Sequence, residues 1–218
     1  MCDNFAVTKW EPHYFHKMGF NGKDVVIAII DSGIDSKRDA FNSDDKIHPD
    51  SRNFLEPQSD KDTTDGEGHG THCAGVAAGL PVGEFLGGVA PKAQLLVCRV
   101  SIEDNEPQTM IKALQHLISL RKKGKQVDVV SRYQLDRQQE KQVLDAIHEL
   151  VEEHNTLVVA AACNNGKQRD AIWYPAIRGQ TISIDAHDCN YNRAPFASVG
   201  KRLDFLAPGV EMIAPAEL

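Results

Sequence analysis

The sequence predicts an α/β fold of three layers, in which a mostly parallel β-sheet carries helices on both faces. Short apolar runs alternate with segments of helical periodicity along the 218 residues, and this alternation is typical of β-α-β units. The run VVIAII, Val25–Ile30, is continuously apolar and β-branched, as expected of a strand buried on both faces. The length favours one core, so a single domain over residues 1–218 is predicted.

The remaining strands are predicted from similar apolar runs. A polar, Asp-rich stretch from Asp35 to Asp65 predicts surface loops around one short strand. Further core strands are predicted at residues 94–100, 127–131, 156–162, 181–186 and 203–207.

Two long helices are predicted between these strands. Apolar residues recur with helical spacing over 110–123, and Gly124 can end that helix. A second amphipathic helix is predicted over 137–154, with Asp136 and Gln139 as its capping box.

Polar side chains follow three of the predicted strands. Asp31, Ser131 and Asn164 each lie where an apolar run ends. In parallel sheets functional groups gather beyond the carboxyl ends of the strands, so these side chains are expected at one edge of the sheet. Gly33 allows a sharp turn after Asp31, although an aspartate in a D-S-G sequence can simply cap a turn. Asn164 likewise can serve only the turn that Asn165-Gly166 indicates.

His69 is the candidate base. It lies between Gly68 and Gly70, where a helix running through Ala78 is predicted to begin. A helix N-terminus disfavours the imidazolium, so the ring is expected to be neutral and able to accept a proton. The alternative is a histidine in a solvated loop.

The thiols and neighbouring histidines give no strong metal signal. The number of cysteines is odd and there is no CxxC pair, which predicts mostly buried free thiols rather than a disulfide framework or a structural zinc site. The cysteines are Cys2, Cys73, Cys98, Cys163 and Cys189. His72 beside Cys73 could suggest a metal site, but a structural histidine bonded to backbone is favoured.

Composition narrows the function classes. The formal charge of −7 argues against a nucleic-acid partner. No apolar run approaches the roughly 20 residues that a membrane helix needs, and the opening residues MCDNFAVTKWEPHYF carry no pattern of a secretory signal. The sequence assigns neither a compartment nor an oligomeric state.

Three segments together resemble the subtilisin-like serine proteases. Val25–Asp35 resembles the aspartate segment of that family, Asp65–Gly79 its histidine segment, and Leu157–Gly166 its oxyanion segment. The Cys73 variant of the histidine segment is most similar to the proteinase K-type branch. The likeness continues, in family order, through residues 88–100, 174–176 and 196–210, and covers about residues 10–210.

The resemblance implies a serine endopeptidase domain acting on peptide or protein substrates. Asp31 and His69 would be two members of the catalytic triad, and the side-chain amide of Asn164 would donate to the oxyanion. The substrate-binding wall would include Ser131, Arg132 and Tyr133. No cofactor is implied and no metal ligands are assigned, although relatives often bind calcium and the loops of residues 35–65 are rich in carboxylates.

The sequence departs from the family pattern chiefly in an absence. The Gly-Thr-Ser-Met-Ala type motif, which carries the nucleophile and opens a central helix, does not occur in the 218 residues. The chain is therefore expected to lack the C-terminal helices and to be inactive as it stands. A pseudoprotease that binds a peptide or partner is the alternative.

Smaller departures affect the cleft. Cys163 and Asp185 stand where the family usually has glycine, and the segment after Val130 is bulkier and more polar than usual. If residue 163 needs a positive φ, its side chain is expected to strain the backbone and to misdirect Asn164.

Overall fold

The structure is a computed structural model that describes residues 12–55, 57, 59–101, 107–132, 140–166, 172, 175, 176 and 179–214. The strands are β1 Val26–Asp31, β2 Arg52–Asn53, β3 Gln94–Arg99, β4 Val129–Arg132, β5 Leu157–Ala161, β6 Ile182–His187 and β7 Phe205–Pro208. The α-helices are α1 Pro12–Lys17, α2 His69–Ala78, α3 Pro107–Lys122 and α4 Glu140–His148, with a 3-10 helix at Asp39–Phe41 and a π-helix at Glu149–Glu153.

The predicted elements are confirmed with small shifts of their bounds. The helix predicted over 137–154 is present from Glu140, and its last turn is a π-helix rather than an α-helix. Its predicted capping box at Asp136 and Gln139 lies outside the described residues. In the part of the chain that the structure describes, no helix follows the π-helix.

The seven strands form one sheet in the order β2-β3-β1-β4-β5-β6-β7. Every pairing between neighbouring strands is parallel, which confirms the predicted sheet. The strand order reverses at β1, because its two neighbours are β3 and β4. A topological switch point of this kind is where open parallel sheets place their ligands, and Asp31 is the last residue of β1.

Alternation along β1 builds a core on each face of the sheet. Val26, Ala28 and Ile30 belong to the cluster that contains the buried residues of α3 and α4. Ile27 and Ile29 belong to the opposite cluster, which includes the buried alanines of α2. Helices therefore cover both faces, and the predicted three-layer fold is confirmed. Of the helices within the described ranges, none is long and apolar enough to cross a lipid bilayer.

The thiols match the prediction in part. Cys98 and Cys163 are free and buried, and Cys73 is free and half-buried. Cys189 is disulfide-bonded, which the spacing of the cysteines does not indicate.

Candidate active site

Asp31 and His69 meet at the carboxyl edge of the sheet. Nδ1 of His69 lies 2.7 Å from Oδ1 of Asp31 and donates to it. The same oxygen accepts the backbone N–H of Ser32 at 2.8 Å. The Asp31 side chain is 6% exposed, whereas the His69 side chain is 43% exposed. The pair therefore presents a buried carboxylate behind an accessible imidazole.

Two glycines allow this contact. Gly33 has a φ of 123°, and a Cβ there would lie 2.6 Å from the Thr63 carbonyl oxygen. A Cβ on Gly70 would lie 2.3 Å from the Gly33 carbonyl oxygen, far inside normal contact. The first turn of α2 can thus lie directly against the turn after β1. Gly68 contributes differently, since it is the N-cap of α2 with a φ of 85°, a conformation that favours glycine.

The surroundings of His69 favour its protonated form. The hydrogen bond to Asp31 raises the pKa of His69, and the Cys73 side chain raises it further, while burial acts in the opposite direction. The Cys73 sulfur lies 3.8 Å from Nδ1 and 4.0 Å from Nε2. The expectation that the helix N-terminus keeps this ring neutral is therefore wrong in its net direction, because the hydrogen-bonded carboxylate dominates.

Asp65 is a residue that the sequence analysis missed. Its Oδ1 accepts the Ser32 hydroxyl and the backbone N–H groups of Glu67 and Gly68, each at 2.9 Å. Its Oδ2 accepts the backbone N–H and the hydroxyl of Thr71 at 2.9 and 2.6 Å. Asp65 therefore joins the turn after β1 to the start of α2. The available signal was its position at the head of the histidine segment, two to six residues before the donors Glu67, Gly68 and Thr71.

The second half of this link runs through Ser32. Its hydroxyl accepts the backbone N–H of Gly70 at 2.9 Å while donating to Asp65. One buried serine and one buried aspartate thus set the spacing between the catalytic candidates Asp31 and His69.

Asn164 lies just beyond β5 and is exposed. The residue before it, Cys163, has a φ of 126°, which meets the condition under which backbone strain was expected there. L side chains rarely adopt this conformation, which stores backbone strain beside Asn164. The consequence expected for the direction of the Asn164 side chain stays a prediction.

The predicted substrate wall is described only in part. Ser131 pairs with Ile29 of β1 and with Val159 of β5, and Arg132 follows as the last residue of β4. Both lie toward the carboxyl edge of the sheet that carries Asp31. Tyr133 lies outside the described residues.

Two groups of side chains in the described ranges have metal-donor atoms within 4.8 Å of one another. They are Asp31, His69 and Cys73, and Glu149, Glu153 and His154. In the first group the aspartate and histidine are hydrogen-bonded directly to each other. Neither group includes a residue from the carboxylate-rich loops of 35–65, so calcium binding stays a prediction. His72 joins neither group and donates from Nε2 to the Met212 carbonyl at 3.3 Å, which confirms its predicted bond to backbone.

Comparison with known proteins gives a family for this arrangement. The model of the Subtilase family matches residues 22–217. Subtilisin NAT from Bacillus subtilis subsp. natto is 30% identical over 217 residues, which are 95% of this chain and 52% of the relative. Subtilisin from Bacillus pumilus is also 30% identical, over 95% of this chain and 73% of its own length. Subtilisin DY from Bacillus licheniformis is 33% identical over 196 residues, 89% of this chain and 68% of the relative.

The match covers only part of the length of several relatives. The chain spans about half the length of several subtilisins that it matches, 52% in each case. Within that span the family model covers nearly every residue, and the aspartate and histidine of the resembling segments are in hydrogen-bond contact. This chain belongs to the subtilase family of subtilisin-like serine proteases.

Proposed function

We propose that this chain is the part of a serine endopeptidase that binds a peptide or protein substrate and supplies acid–base chemistry. The observation that carries the proposal is the 2.7 Å contact between Asp31 and His69 at the switch point of the sheet. Because Nδ1 donates to Asp31, Nε2 is the basic nitrogen of the neutral ring.

The chemistry then follows the acyl-transfer scheme. Nε2 of His69 takes the proton of a serine hydroxyl as its oxygen attacks the scissile carbonyl, and later delivers that proton to the leaving amine. Asp31 stabilises the imidazolium formed in between, which agrees with the raised pKa of His69. The exposed Asn164 would donate to the oxyanion of the tetrahedral intermediate.

We further propose that the 218 residues do not hydrolyse peptides by themselves. The motif that carries the nucleophile in this family does not occur in them. Ser32 and Ser198, which lie beside Asp31 and the Asn164 turn, use their hydroxyls in structural hydrogen bonds: the Ser32 hydroxyl donates to Asp65, and the Ser198 hydroxyl donates to the Cys163 carbonyl oxygen, each at 2.9 Å. In subtilisin, removal of the serine lowers kcat by about 2 × 10⁶-fold.

A pseudoprotease that only binds a peptide or partner is the second candidate. The observation that favours it is the strained φ of 126° at Cys163, directly before the residue proposed to donate to the oxyanion. A strained or misdirected donor would lower catalysis while leaving the cleft able to bind.

Labelling with a fluorophosphonate separates the two candidates. Three proteins are compared: the 218-residue chain, the same chain extended by a family-type segment that contains Gly-Thr-Ser-Met-Ala, and the extended chain with His69→Ala. The endopeptidase proposal expects label on the extended chain only. An extended chain that folds, as judged by circular dichroism, but takes up no more label than its His69→Ala variant would contradict the proposal and favour the pseudoprotease.

A further inference from the structure

A buried chain of hydrogen bonds lies behind the Asn164 turn. The Ser198 hydroxyl donates to the Cys163 carbonyl oxygen at 2.9 Å and accepts the backbone N–H of Asn165 at 3.2 Å. Ser198 is 0% exposed. One side chain is therefore hydrogen-bonded to the backbone on both sides of Asn164.

Asp185 forms a hydrogen bond that positions the Ser198 backbone. Its Oδ2 accepts the backbone N–H of Ser198 at 2.7 Å, and its Oδ1 accepts the backbone N–H of Ala186 at 2.8 Å. Asp185 is part of β6, which lies next to β5 in the sheet. The turn that carries Asn164 is thus fastened to the neighbouring strand by a carboxylate that bridges two backbone donors.

Close packing around the same turn holds Cys163 in its strained backbone conformation. A residue with a φ of 126° persists only where its surroundings hold it, and Cys163 is 5% exposed. The next glycine, Gly166, donates to the Phe196 carbonyl oxygen at 2.8 Å, and a Cβ on it would lie 2.3 Å from the Pro195 carbonyl oxygen. The segment 163–166 therefore lies tightly against 195–198 along its whole length.

We infer that Asp185 and Ser198 are positioning residues that fix the Asn164 turn, so that the strained Cys163 conformation is maintained rather than relaxed. This inference rests on the proposed role of Asn164 as an oxyanion donor, which it extends to the residues behind it. In this view the two residues that stand where the family usually has glycine act together, because the Asp185 carboxyl group supplies the restraint that the strained backbone at Cys163 requires.

The protein contains its own reporters for this restraint. Cys163 is buried beside the turn, Cys98 is 0% exposed in the central sheet, and Cys73 is half-buried beside His69. Alkylation with iodoacetamide, followed by peptide mapping, measures the opening of each region in a single sample. Cys98 reports global unfolding, and Cys73 confirms that the reagent is active.

The variants are Asp185→Asn and Ser198→Ala, with Asp188→Asn as the matched control. Asp188 lies three residues from Asp185 and accepts backbone N–H groups from Asn190 and Asn192. We expect Asp185→Asn and Ser198→Ala to raise the labelling rate of Cys163 by about tenfold relative to Cys98, since each leaves a backbone donor or acceptor of the turn without its hydrogen-bond partner, a loss worth about that factor. A rise at Cys163 no larger than at Cys98, or an equal rise in Asp188→Asn, would overturn the inference.

A pH profile distinguishes positioning from general support of the fold. Burial raises the pKa of Asp185, while the hydrogen bonds from the Ala186 and Ser198 backbones and the positive charge of Arg193 lower it by less. The Asp185 carboxylate also interacts electrostatically with Cys163. Because the pKa of Asp185 is higher in the folded protein than in an opened turn, protonation favours the closed turn. Hydrogen exchange of the Asn165 amide, corrected for intrinsic rates, should therefore show protection gained as the pH falls, beginning above the ordinary 3.8 of aspartate. The step should be absent in Asp185→Asn and retained in Asp188→Asn; a step that persists in Asp185→Asn would contradict the inference. Neither result depends on fluorophosphonate labelling, so the inference and the proposed function fail separately.

Discussion

At the scale of single residues, the Asp31 carboxylate controls the protonation of His69. An opposite charge in hydrogen-bond contact favours the imidazolium, and the pKa of His69 is raised first by this contact. We expect Asp31→Asn to lower the pKa of His69 by about one unit or more. The imidazole resonances of His69, followed by NMR across the pH range, measure this. The control is Asp62→Asn, whose carboxylate caps the backbone of Thr64 in an exposed loop; an equal drop in that variant would refute the assignment.

The hydrogen bonds of the Asp65 carboxylate are expected to contribute to the free energy of unfolding. Burial alone would raise the pKa of Asp65, but hydrogen bonds from the Thr71 side chain and from backbone N–H groups outweigh it and lower the pKa to about 2. A depressed pKa stabilises the fold above the unfolded-state value of 3.8, and this contribution is lost as the pH falls from 3.8 toward 2. Asp65→Asn should therefore lower the free energy of unfolding by about 2 kcal/mol near pH 6.

Urea titrations at several pH values check this prediction. The difference between wild type and Asp65→Asn should shrink as the pH falls below 3.8. A difference that stays constant down to pH 2 would mean that the Asp65 charge is not responsible.

Residue types in short segments pointed to Asp31, His69 and Asn164, because each lies at the end of a strand or the start of a helix. The same reading missed Asp65, Ser32 and Ser198. Their importance depends on which donors surround them after folding: Ser198 reaches Cys163, which is 35 residues away in sequence. Nothing in the local pattern around a buried serine specifies such a partner.

At the scale of elements, the approach of α2 to β1 depends on the absence of a side chain at Gly70. A methyl group there would lie 2.3 Å from the Gly33 carbonyl oxygen and 3.2 Å from the Asp31 Cβ. We expect Gly70→Ala to displace the first turn of α2, to lengthen the Asp31–His69 contact and to lower the free energy of unfolding by about 1–3 kcal/mol. The pKa of His69 should fall as well.

Gly66→Ala is the matched control. It lies in the loop that leads into α2, and its added methyl group would meet only the Arg99 guanidinium, at 3.9 Å. His69 titration and chemical denaturation of both variants test the argument. If Gly66→Ala and Gly70→Ala behaved alike, close approach at Gly70 would not be the cause.

Strands and helices were the most predictable elements, because their hydrophobic periods reflect which face is buried. The exception is the turn after α4, where residues 149–153 form a π-helix although the periodicity of Leu150 and Val151 continues that of an α-helix. Hydrophobic spacing does not distinguish the two over so short a segment; Leu150 is fully buried in the π-helix.

At the scale of the whole molecule, the sheet brings distant segments to one edge. Asp31 ends β1, which lies between β3 and β4, and Asn164 follows β5, the next strand along. The sequence indicated a parallel sheet and a shared carboxyl edge. Local pattern does not specify the strand order, because that order depends on which crossover connections pack on which face.

The outermost strand of the sheet, β7, gives a prediction about self-association of the chain. Within the described ranges β7 pairs with β6 alone, and Phe205 is 62% exposed, with Leu206 at 38% and Ile213 at 40%. An edge strand with exposed apolar side chains is a template for pairing with another chain. We therefore expect the 218-residue chain to associate with itself at micromolar concentration.

Phe205→Lys should weaken this association by about tenfold or more, because burying one large apolar side chain is worth about 1.5–3 kcal/mol. Sedimentation velocity over a concentration series measures the change. Phe20→Lys is the matched control, since Phe20 is similarly exposed at 66% but lies outside the sheet. If both variants weaken association equally, general surface hydrophobicity rather than the β7 edge drives it; a chain that stays monomeric throughout would show that this edge is protected in solution.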